Sequence, residues 1–289
     1  MFFLIGDVFI IYITMKKYNT VLSIAGSDSG GGAGIQADVK TISACGCFAT
    51  TAITALTVQN TLGVSNVFPI PGNVLEEQIE SVLSDIGADA IKIGMLHSSD
   101  IIRRVSKILS RYEVRNVVLD PVMLATSGDA LLKNEAIDAL KNDLIPKVRV
   151  LTPNIPEAEA LSGKRIESHA NVMNCAKELA IEYEVSVLLK AGHMKGSELI
   201  DVFYDFENQT VLEMKSERID SKNTHGTGCT LSSALAAFLA KGYDVQTAVL
   251  QAKKYINKAI VAGADYKIGQ GHGAVNHFHE FWERSGTIN

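Results

Sequence analysis

The residue types best suited to chemistry cluster in a glycine-rich segment, residues 224–230 (THGTGCT), which opens a run of small residues typical of a buried helix. Glycines at a helix start let the backbone approach a ligand, and the free N–H groups there favour an anion, as does the positive end of the helix dipole. The amides of Gly226, Thr227 and Gly228 are therefore predicted to stabilise a phosphoryl group in transfer.

Cys229 is the side chain of this segment that could act on a proton. The field at a helix start lowers the pKa of a thiol, so we expect Cys229 to be partly ionised. A group in that place can accept a proton from a substrate hydroxyl. Taken alone, the segment is equally compatible with a glycine-rich helix cap followed by a small buried cysteine.

A second glycine-rich loop, residues 26–34, directly follows the strand-like run at residues 21–25. It could bind phosphate, or Gly26 could let the backbone pass close to a substrate. The loop lacks the terminal Lys-Ser/Thr of a Walker A loop and the spaced glycines of a dinucleotide site. By itself, such a run is more often a plain flexible turn.

Oxygen ligands for a metal occur in residues 152–159 (TPNIPEAE), at the end of one strand and the start of a helix. Asn154 and Glu157 suit Mg²⁺, held directly or through water. Capping of the helix with acids in its first turn explains the same residues without a metal, and for this segment alone it is the simpler interpretation.

Two further strand ends carry charge. Lys190 ends an apolar strand, where it could contact phosphate oxygens or stay in solvent. Asp120 ends another strand, where it could approach Mg·ATP or cap the following turn. The histidines His272, His277 and His279 have no matching cysteine or acid pattern, so we expect a surface tail there.

Short apolar runs alternate with helical patterns from residue 20 to about 265, which predicts a mostly parallel sheet covered by helices on both faces. Strands are predicted at residues 21–25, 51–58, 90–96, 116–120, 148–151 and 185–190, a late antiparallel hairpin at 199–213, and helices at 35–44, 74–85, 229–241 and 245–262. In open sheets of this kind ligands bind beyond the carboxyl ends of the strands. The unusual residues fall at those ends.

Bulk composition narrows the class of protein. The chain has 289 residues, a 47% apolar fraction and a formal net charge of -5, which gives no electrostatic reason to expect a nucleic acid or membrane partner. Its four cysteines form no CxxC pair, so a reduced, cytoplasmic setting is expected. Residues 1–14 are predicted to be an upstream extension, with Met15 and not Met1 as the natural start, or else an extra edge strand. Residues 15–289 are predicted to form one domain.

Several ordered segments together resemble the hydroxymethylpyrimidine/phosphomethylpyrimidine kinases of thiamine biosynthesis, a branch of the ribokinase-like superfamily. The resemblance runs from about residue 18 to residue 282, nearly the whole chain. The segments that carry it are IAGSD at 24–28, GGGAGIQADVK at 30–40, TALTVQN at 54–60, KIGML at 92–96, VLDPVMLATSGD at 118–129, LTPNIPEAE at 151–159, KAGH at 190–193 and NTHGTGCTL at 223–231.

The resemblance implies a role for each site residue. On the substrate side it implies that Gln59 hydrogen-bonds the pyrimidine edge, that Met95 packs on the ring, and that Asp38 belongs to the pocket with Gly26. Cys229 stands where related sugar kinases place their catalytic aspartate. The remaining polar residues are implied to orient Mg²⁺ and phosphates: Asn154, Glu157, Lys190 and Asp120.

The implied activity is ATP-dependent phosphorylation of 4-amino-5-hydroxymethyl-2-methylpyrimidine and then of its monophosphate, with Mg²⁺, in a homodimer. Three alternatives stay open at this point. A pyridoxal or pyridoxine kinase phosphorylates a similar hydroxymethyl heteroaromatic, although Gln59 and Met95 favour the pyrimidine. A sugar kinase is disfavoured by Cys229, and a non-catalytic pyrimidine sensor would need neither the GTGC helix start nor the Asn154/Glu157 pair.

Overall fold

The computed structural model describes residues 16–123, 134–192, 194 and 196–282. Strands in that part of the chain are β1 (Thr20–Asp28), β2 (Phe48–Asn60), β3 (Gly63–Pro69), β4 (Ala90–Ile93), β5 (Val117–Leu119), β6 (Val150–Leu151), β7 (Ser186–Leu189), β8 (Glu198–Asp205) and β9 (Thr210–Glu217). They form one sheet in the order β3-β2-β1-β4-β5-β6-β7-β8-β9.

The six central strands, which lie in the spatial order β2-β1-β4-β5-β6-β7, run parallel to one another. At one edge β3 pairs antiparallel with β2, and at the other β8 pairs antiparallel with β7 and with β9. The carboxyl ends of the parallel strands therefore meet at one edge of the sheet, as predicted.

The helices are α1 (Gly34–Ala44), α2 (Gly72–Asp85), α3 (Ser99–Tyr112), α4 (Asn134–Ala139), α5 (Ile155–Ser162), α6 (His169–Tyr183), α7 (Thr227–Ala240) and α8 (Val245–Gly263). A π turn (Leu140–Leu144) and a 3-10 turn (Ile145–Lys147) continue from α4. Polar caps fix several starts: the side chain of Ser98 accepts from the amide of Ile101, and that of Asp244 accepts from the amide of Thr247.

Alternate strand residues point into two cores on opposite faces of the sheet, because successive side chains of a strand face opposite ways. In β5, Val117 and Leu119 pack into the core formed with α2 to α6, whereas Val118 packs into the core formed with α1, α7 and α8. The apolar runs in the sequence lack alternation for this reason: both faces are covered.

Small residues let α7 lie close to the sheet. Its Ser232, Ser233, Ala234, Ala236 and Ala237 are fully buried. Side chains this short bring the helix backbone near the strands, and the amino end of α7 consequently meets the carboxyl ends of β1, β4 and β5.

The predicted elements are confirmed, including the late hairpin, with bounds shifted by a few residues. The strand β3 was missed, because its sequence, GVSNVFP, has few of the apolar residues that mark a buried strand. The predicted extension at residues 1–14 and the start at Met15 lie outside the described residues, so these and the single domain stay predictions.

The expectation of a surface tail at the carboxyl terminus is wrong for two of the three histidines, His277 and His279, and the side chain of His279 is only 5% exposed. His277 is only 4% exposed, and its burial lowers the pKa of its imidazole to about 4. Its backbone carbonyl accepts a hydrogen bond from the Tyr255 hydroxyl of α8, which fastens this segment to the helix. His272 is exposed, as expected.

None of the helices that the structure describes combines the length and the apolar content needed to cross a membrane.

Candidate active site

A cavity of about 770 Å³ opens at the carboxyl ends of the parallel strands, between them and the start of α7. The sequence predicted twelve site residues, and all but Asp38 line this cavity: Gly26, Gln59, Met95, Asp120, Asn154, Glu157, Lys190, Gly226, Thr227, Gly228 and Cys229. Segments that are up to two hundred residues apart in the chain are thus brought to one place by the parallel topology.

The two glycine-rich loops pack directly against each other. Gly226 caps α7 with a left-handed backbone (φ 80°), and a Cβ added there would lie 1.8 Å from the carbonyl oxygen of Gly32. Both positions therefore require glycine: at Gly34 φ is 55°, and a Cβ would lie 2.2 Å from the carbonyl oxygen of Gly26. The loop after β1 is therefore a close-packed wall of the cavity and not a flexible turn.

An ion pair lies just below the start of α7. Lys190 Nζ is 2.6 Å from Asp120 Oδ1, and the Thr152 hydroxyl donates to the same oxygen at 3.2 Å. A Cβ on Gly228 would lie 3.3 Å from Asp120 Oδ2 and 3.4 Å from Lys190 Nζ. Burial opposes the charge on Lys190, but Asp120 and Glu157 outweigh it and raise the pKa of the lysine above its ordinary value.

Asn154 and Glu157 form a reciprocal capping box at the start of α5. The Asn154 side-chain oxygen accepts from the backbone N–H of Glu157 at 2.9 Å, and the Glu157 carboxylate accepts from the backbone N–H of Asn154 at 2.8 Å. The capping interpretation of the sequence is thus confirmed. Because Glu157 is also 4% exposed, its burial raises the pKa of the carboxyl, against the opposing effect of Lys190.

The same residues fit a magnesium ion that arrives with phosphates, and not a protein-only cage. Among the described residues no group of three or more histidine, cysteine, aspartate or glutamate side chains is placed to hold a metal. Mg²⁺ characteristically keeps several waters and is held by one or two carboxylates plus substrate phosphates. Glu157 and Asn154, which line one cavity with Asp120 and Lys190, supply such a donor set.

The predicted ionisation of Cys229 is wrong for the ligand-free protein. Burial raises the pKa of this thiol to about 11, although the nearby Lys92 ammonium opposes the shift. The desolvation cost of a buried thiolate exceeds what the helix start and the ammonium supply. Cys229 is consequently a protonated thiol on the cavity wall at neutral pH.

Asp38 does not line the cavity, which corrects its assignment as a substrate contact. It is fully buried in α1, and its two oxygens accept from Ser23 at 2.6 Å, Ser233 at 2.7 Å and Lys92 at 2.9 Å. Lys92 is also fully buried, and its pKa is raised by Asp38, Cys229 and Asp120 despite its burial. Asp38 therefore acts beneath the cavity floor, by holding Lys92 near Cys229.

Asp28 and His225 are site residues that the sequence analysis missed. Asp28 collects the amides of Gly30, Gly32 and Ala33 at 2.8 to 3.0 Å, and its Oδ2 lies 3.0 Å from His225 Nε2. Burial opposes ionisation, but the His225 hydrogen bond and these amides hold the pKa of Asp28 below its ordinary value. The available signal was an aspartate that opens a glycine loop, a residue that commonly caps backbone amides in turns.

Gln59 and Met95 lie on the same side of the cavity. The Gln59 amide contacts the Thr57 hydroxyl at 3.0 Å and His225 Nε2 at 3.2 Å. Met95 covers Gly26, where a Cβ would lie 2.6 Å from the methionine methyl group. Gly26 thus leaves room for a thioether that can pack on a flat ring.

The far end of the cavity is built by β8, β9 and α8, which the sequence analysis did not connect to the site. Asp201 of β8 accepts from the amide of Ala191 at 2.8 Å and pairs with Lys253 of α8 at 2.7 Å. These contacts tie the end of β7, which carries Lys190, to α8. His193 and Lys195 lie outside the described residues.

Comparisons with known proteins identify the family and the fold. A family model described as phosphomethylpyrimidine kinase matches residues 28–276. The chain is 46% identical over 263 residues to a hydroxymethylpyrimidine/phosphomethylpyrimidine kinase of Rhizobium meliloti, across 91% of this chain and 98% of the relative. It is 44% identical over 258 residues to the thiamine biosynthesis bifunctional protein ThiED of Geobacter sulfurreducens, across 89% of this chain and 52% of that protein.

Among solved structures, the ADP complex of the pyridoxal kinase of Bacillus subtilis superposes with a TM-score of 0.83 at 37% identity, across 90% of this chain and 98% of that chain. The predicted ribokinase-like architecture is confirmed by this similarity.

Proposed function

This chain belongs to the phosphomethylpyrimidine kinase family, and we propose that it phosphorylates the hydroxymethyl group of an aminopyrimidine and then the resulting monophosphate, with ATP as donor, for thiamine diphosphate synthesis. One observation carries the proposal. The start of α7, the Lys190–Asp120 ion pair and the Gln59–Met95 wall face a single cavity.

The pyrimidine is assigned to the wall of β1 and β2. Met95 over Gly26 offers an apolar surface for a flat ring, and Gln59 offers an amide for its polar edge. The hydroxymethyl group would then lie toward Cys229 and the start of α7.

The phosphates are assigned to the start of α7 and the strand ends opposite it. The amides of Gly226, Thr227 and Gly228 open a 14-residue helix and lie at the positive end of its dipole. Lys190 offers an ammonium next to them, and Asp201 holds its strand end through Ala191. Such fixed donors stabilise the charge that develops on a phosphoryl group in transfer.

In the reaction, the substrate hydroxymethyl oxygen forms a bond to the γ-phosphorus as the bond from that phosphorus to ADP breaks, and the hydroxyl proton leaves. Cys229, as a protonated thiol, suits the part of a proton relay: its sulfur accepts the hydroxyl proton while its own S–H proton passes to an oxygen of the phosphoryl group in transfer. Positioning and electrostatics supply most of the acceleration in such transfers.

Magnesium bound with ATP would neutralise phosphate charge, and Glu157 and Asn154 would hold it directly or through water. Their capping contacts keep both side chains at the start of α5, facing Asp120 and Lys190.

A homodimer is proposed on the apolar edge of the sheet. Leu56, Val58 and Phe68 of the β2–β3 hairpin are exposed, and contiguous exposed apolar residues mark association surfaces. Gel filtration at two concentrations should give a dimer that Val58→Glu converts to a monomer. A wild-type monomer at both concentrations would reject this surface. The cytoplasmic location stays a prediction, consistent with four free cysteines.

The proposed function is tested by ADP release with hydroxymethylpyrimidine, its monophosphate and pyridoxal in parallel, with products identified by mass. Turnover of both pyrimidines, with pyridoxal poor, is expected. Binding of the pyrimidine without ADP release would favour the sensor and reject the kinase.

The pyridoxal kinase alternative rests on the similarity to the Bacillus subtilis pyridoxal kinase. Turnover of pyridoxal alone would favour this alternative and overturn the role of Gln59, while the phosphate side of the site would stand.

Cys229→Ala is expected to lower kcat by about 10²- to 10⁴-fold, the range for a positioned proton-transfer group. Wild-type turnover in this variant would remove Cys229 from the mechanism. A normal melting temperature shows that the loss is catalytic.

A further inference from the structure

The contacts of Asp28 fix where the proton of His225 lies. Oδ1 of Asp28 accepts from the amide of Gly30, and Oδ2 accepts from the amides of Gly32 and Ala33 and lies 3.0 Å from His225 Nε2. A carboxylate with three amide donors is ionised and can only accept. Nε2 of His225 is therefore a donor toward Asp28.

The opposite side of the Gln59 amide is fixed by Thr57. The Thr57 hydroxyl has a single proton, and it lies 2.9 Å from the carbonyl oxygen of Ser27, which can only accept. That proton goes to Ser27, so Thr57 turns a lone pair toward Gln59 at 3.0 Å.

A primary amide can occupy the same outline with its two ends exchanged. With its NH2 group toward Thr57 and its carbonyl toward His225, Gln59 donates to the Thr57 lone pair, and its carbonyl shares the single Nε2 proton of His225 with Asp28. In the opposite orientation, the NH2 group would face the N–H of His225, and the carbonyl would face the Thr57 lone pair. The surroundings therefore select the first orientation.

The backbone of Gln59 is fixed as well. The Ser29 hydroxyl donates to the Gln59 carbonyl oxygen at 2.8 Å and accepts from the Gln59 amide at 2.9 Å. The His225 ring in turn packs against Gly32, where a Cβ would lie 2.4 Å from it, and is held by its contact with Asp28. Both ends of the contact between His225 and Gln59 are held in place.

We propose that Asp28 and His225 are a positioning pair that orients the Gln59 amide and so sets the preference of the enzyme for an aminopyrimidine over a pyridine. The oriented amide leaves one N–H and one carbonyl lone pair side by side for a ligand. That pattern matches a ring nitrogen adjacent to an exocyclic amine, which the aminopyrimidine carries and pyridoxal lacks. The inference rests on the proposed function, because it assigns the ring edge to Gln59.

The test is a double-mutant cycle on the full chain with His225→Ala, Gln59→Ala and the double variant, assayed with hydroxymethylpyrimidine, pyridoxal and ATP. His225→Ala should raise KM for the pyrimidine about 3- to 10-fold, as expected for one lost hydrogen bond. KM for ATP should change less than about twofold on the same scale. In the Gln59→Ala background, His225→Ala should add nothing further.

Conservative replacement and a matched control separate positioning from general damage. His225→Gln keeps an N–H donor for Asp28 and should restore most of the affinity for the pyrimidine. His272→Ala removes an exposed histidine in contact with the Lys222 carbonyl and should change nothing. If His225→Ala fails to fold, Thr57→Val removes the partner on the other side of the amide and should show the same selective rise in KM.

Independent, multiplying effects of His225→Ala and Gln59→Ala would overturn the positioning role, as would equal losses with pyrimidine and pyridoxal. The wild-type ADP assay decides the proposed function separately. Wild-type turnover of the pyrimidine without coupling between the two residues rejects this inference alone.

Discussion

Lys190 and Asp120 form a nearly buried ion pair, Nζ to Oδ1 at 2.6 Å, directly beneath Gly228 at the start of α7. Asp120 follows β5 and Lys190 follows β7, with β6 between the two strands, and the helix arrives from a segment nearly forty residues later. Their meeting places a fixed cation beside the amino end of α7. We propose that this arrangement binds phosphate without a phosphate-binding loop of the Walker type.

Lys190→Ala is expected to reduce kcat/KM for ATP by at least about 100-fold, since it removes a charge-assisted phosphate contact. It should also lower the free energy of unfolding by about 3 kcal/mol, because Asp120 is left buried and unpaired. Steady-state kinetics and urea denaturation measure the two effects. Lys164→Ala breaks the exposed pair with Glu178 and should change neither. Wild-type ATP kinetics in Lys190→Ala would remove Lys190 from the phosphate site.

Two glycines of one segment should respond oppositely to the same change. Gly226→Ala forces a left-handed backbone on alanine and drives a methyl group into Gly32, so it should cost at least about 2 kcal/mol of stability. Gly228→Ala meets only Asp120 and Lys190, at 3.3 and 3.4 Å, inside a helix that favours alanine.

Gly228→Ala should therefore leave the melting temperature unchanged or raised, while kcat/KM for ATP falls about tenfold or more because the methyl group fills phosphate space. Calorimetry and kinetics on both variants test the contrast. Normal ATP kinetics in a folded Gly228→Ala protein would place the phosphates elsewhere.

The thiol of Cys229 should react as a group with a pKa of about 11. Only the thiolate is alkylated, so labelling by iodoacetamide should climb about tenfold per pH unit from pH 7 through pH 10, past the ordinary thiol value of about 8.5. Peptide mass spectrometry follows this residue, and Cys229→Ser reports the background from the other three cysteines. A plateau near pH 8 would restore the ionised thiol that the sequence predicted.

The Asp38–Lys92 pair should be structural. Lys92→Met leaves a fully buried carboxylate unpaired and is expected to cost about 3–5 kcal/mol, whereas Asp38→Leu combined with Lys92→Met should recover much of that loss. The pKa of Lys92 is raised in the fold. Its contribution to the free energy of unfolding is therefore complete below the ordinary lysine pKa of about 10.4 and is lost only as the pH rises above that value.

Urea denaturation at pH 7 measures these differences, with Lys258→Met as a control that breaks an exposed pair with Glu280. If Asp38→Asn instead leaves stability intact and raises only KM for the pyrimidine, Asp38 is a substrate contact after all.

The sequence alone determined the order of the central strands and of the late hairpin, because both faces of the sheet are covered and each central strand is a short apolar run between turns. It missed the edge strand β3. It also located candidate site residues. Gly226, Lys190 and Asn154 are residue types suited to binding phosphate or metal, and they lie at the ends of predicted strands and helices. Residues whose type and place along the chain mark them as functional could therefore be predicted.

Tertiary structure decided what no local signal carries. Burial determined that Cys229 is protonated, because desolvation depends on neighbours from distant segments. The same packing placed Asp38 below the cavity and not in it, since β1, β4 and α7 enclose its carboxylate. The contact between Asp28 and His225 joins residues 197 positions apart, and only the parallel topology, which gathers strand ends from the whole chain at one edge, brings such pairs together.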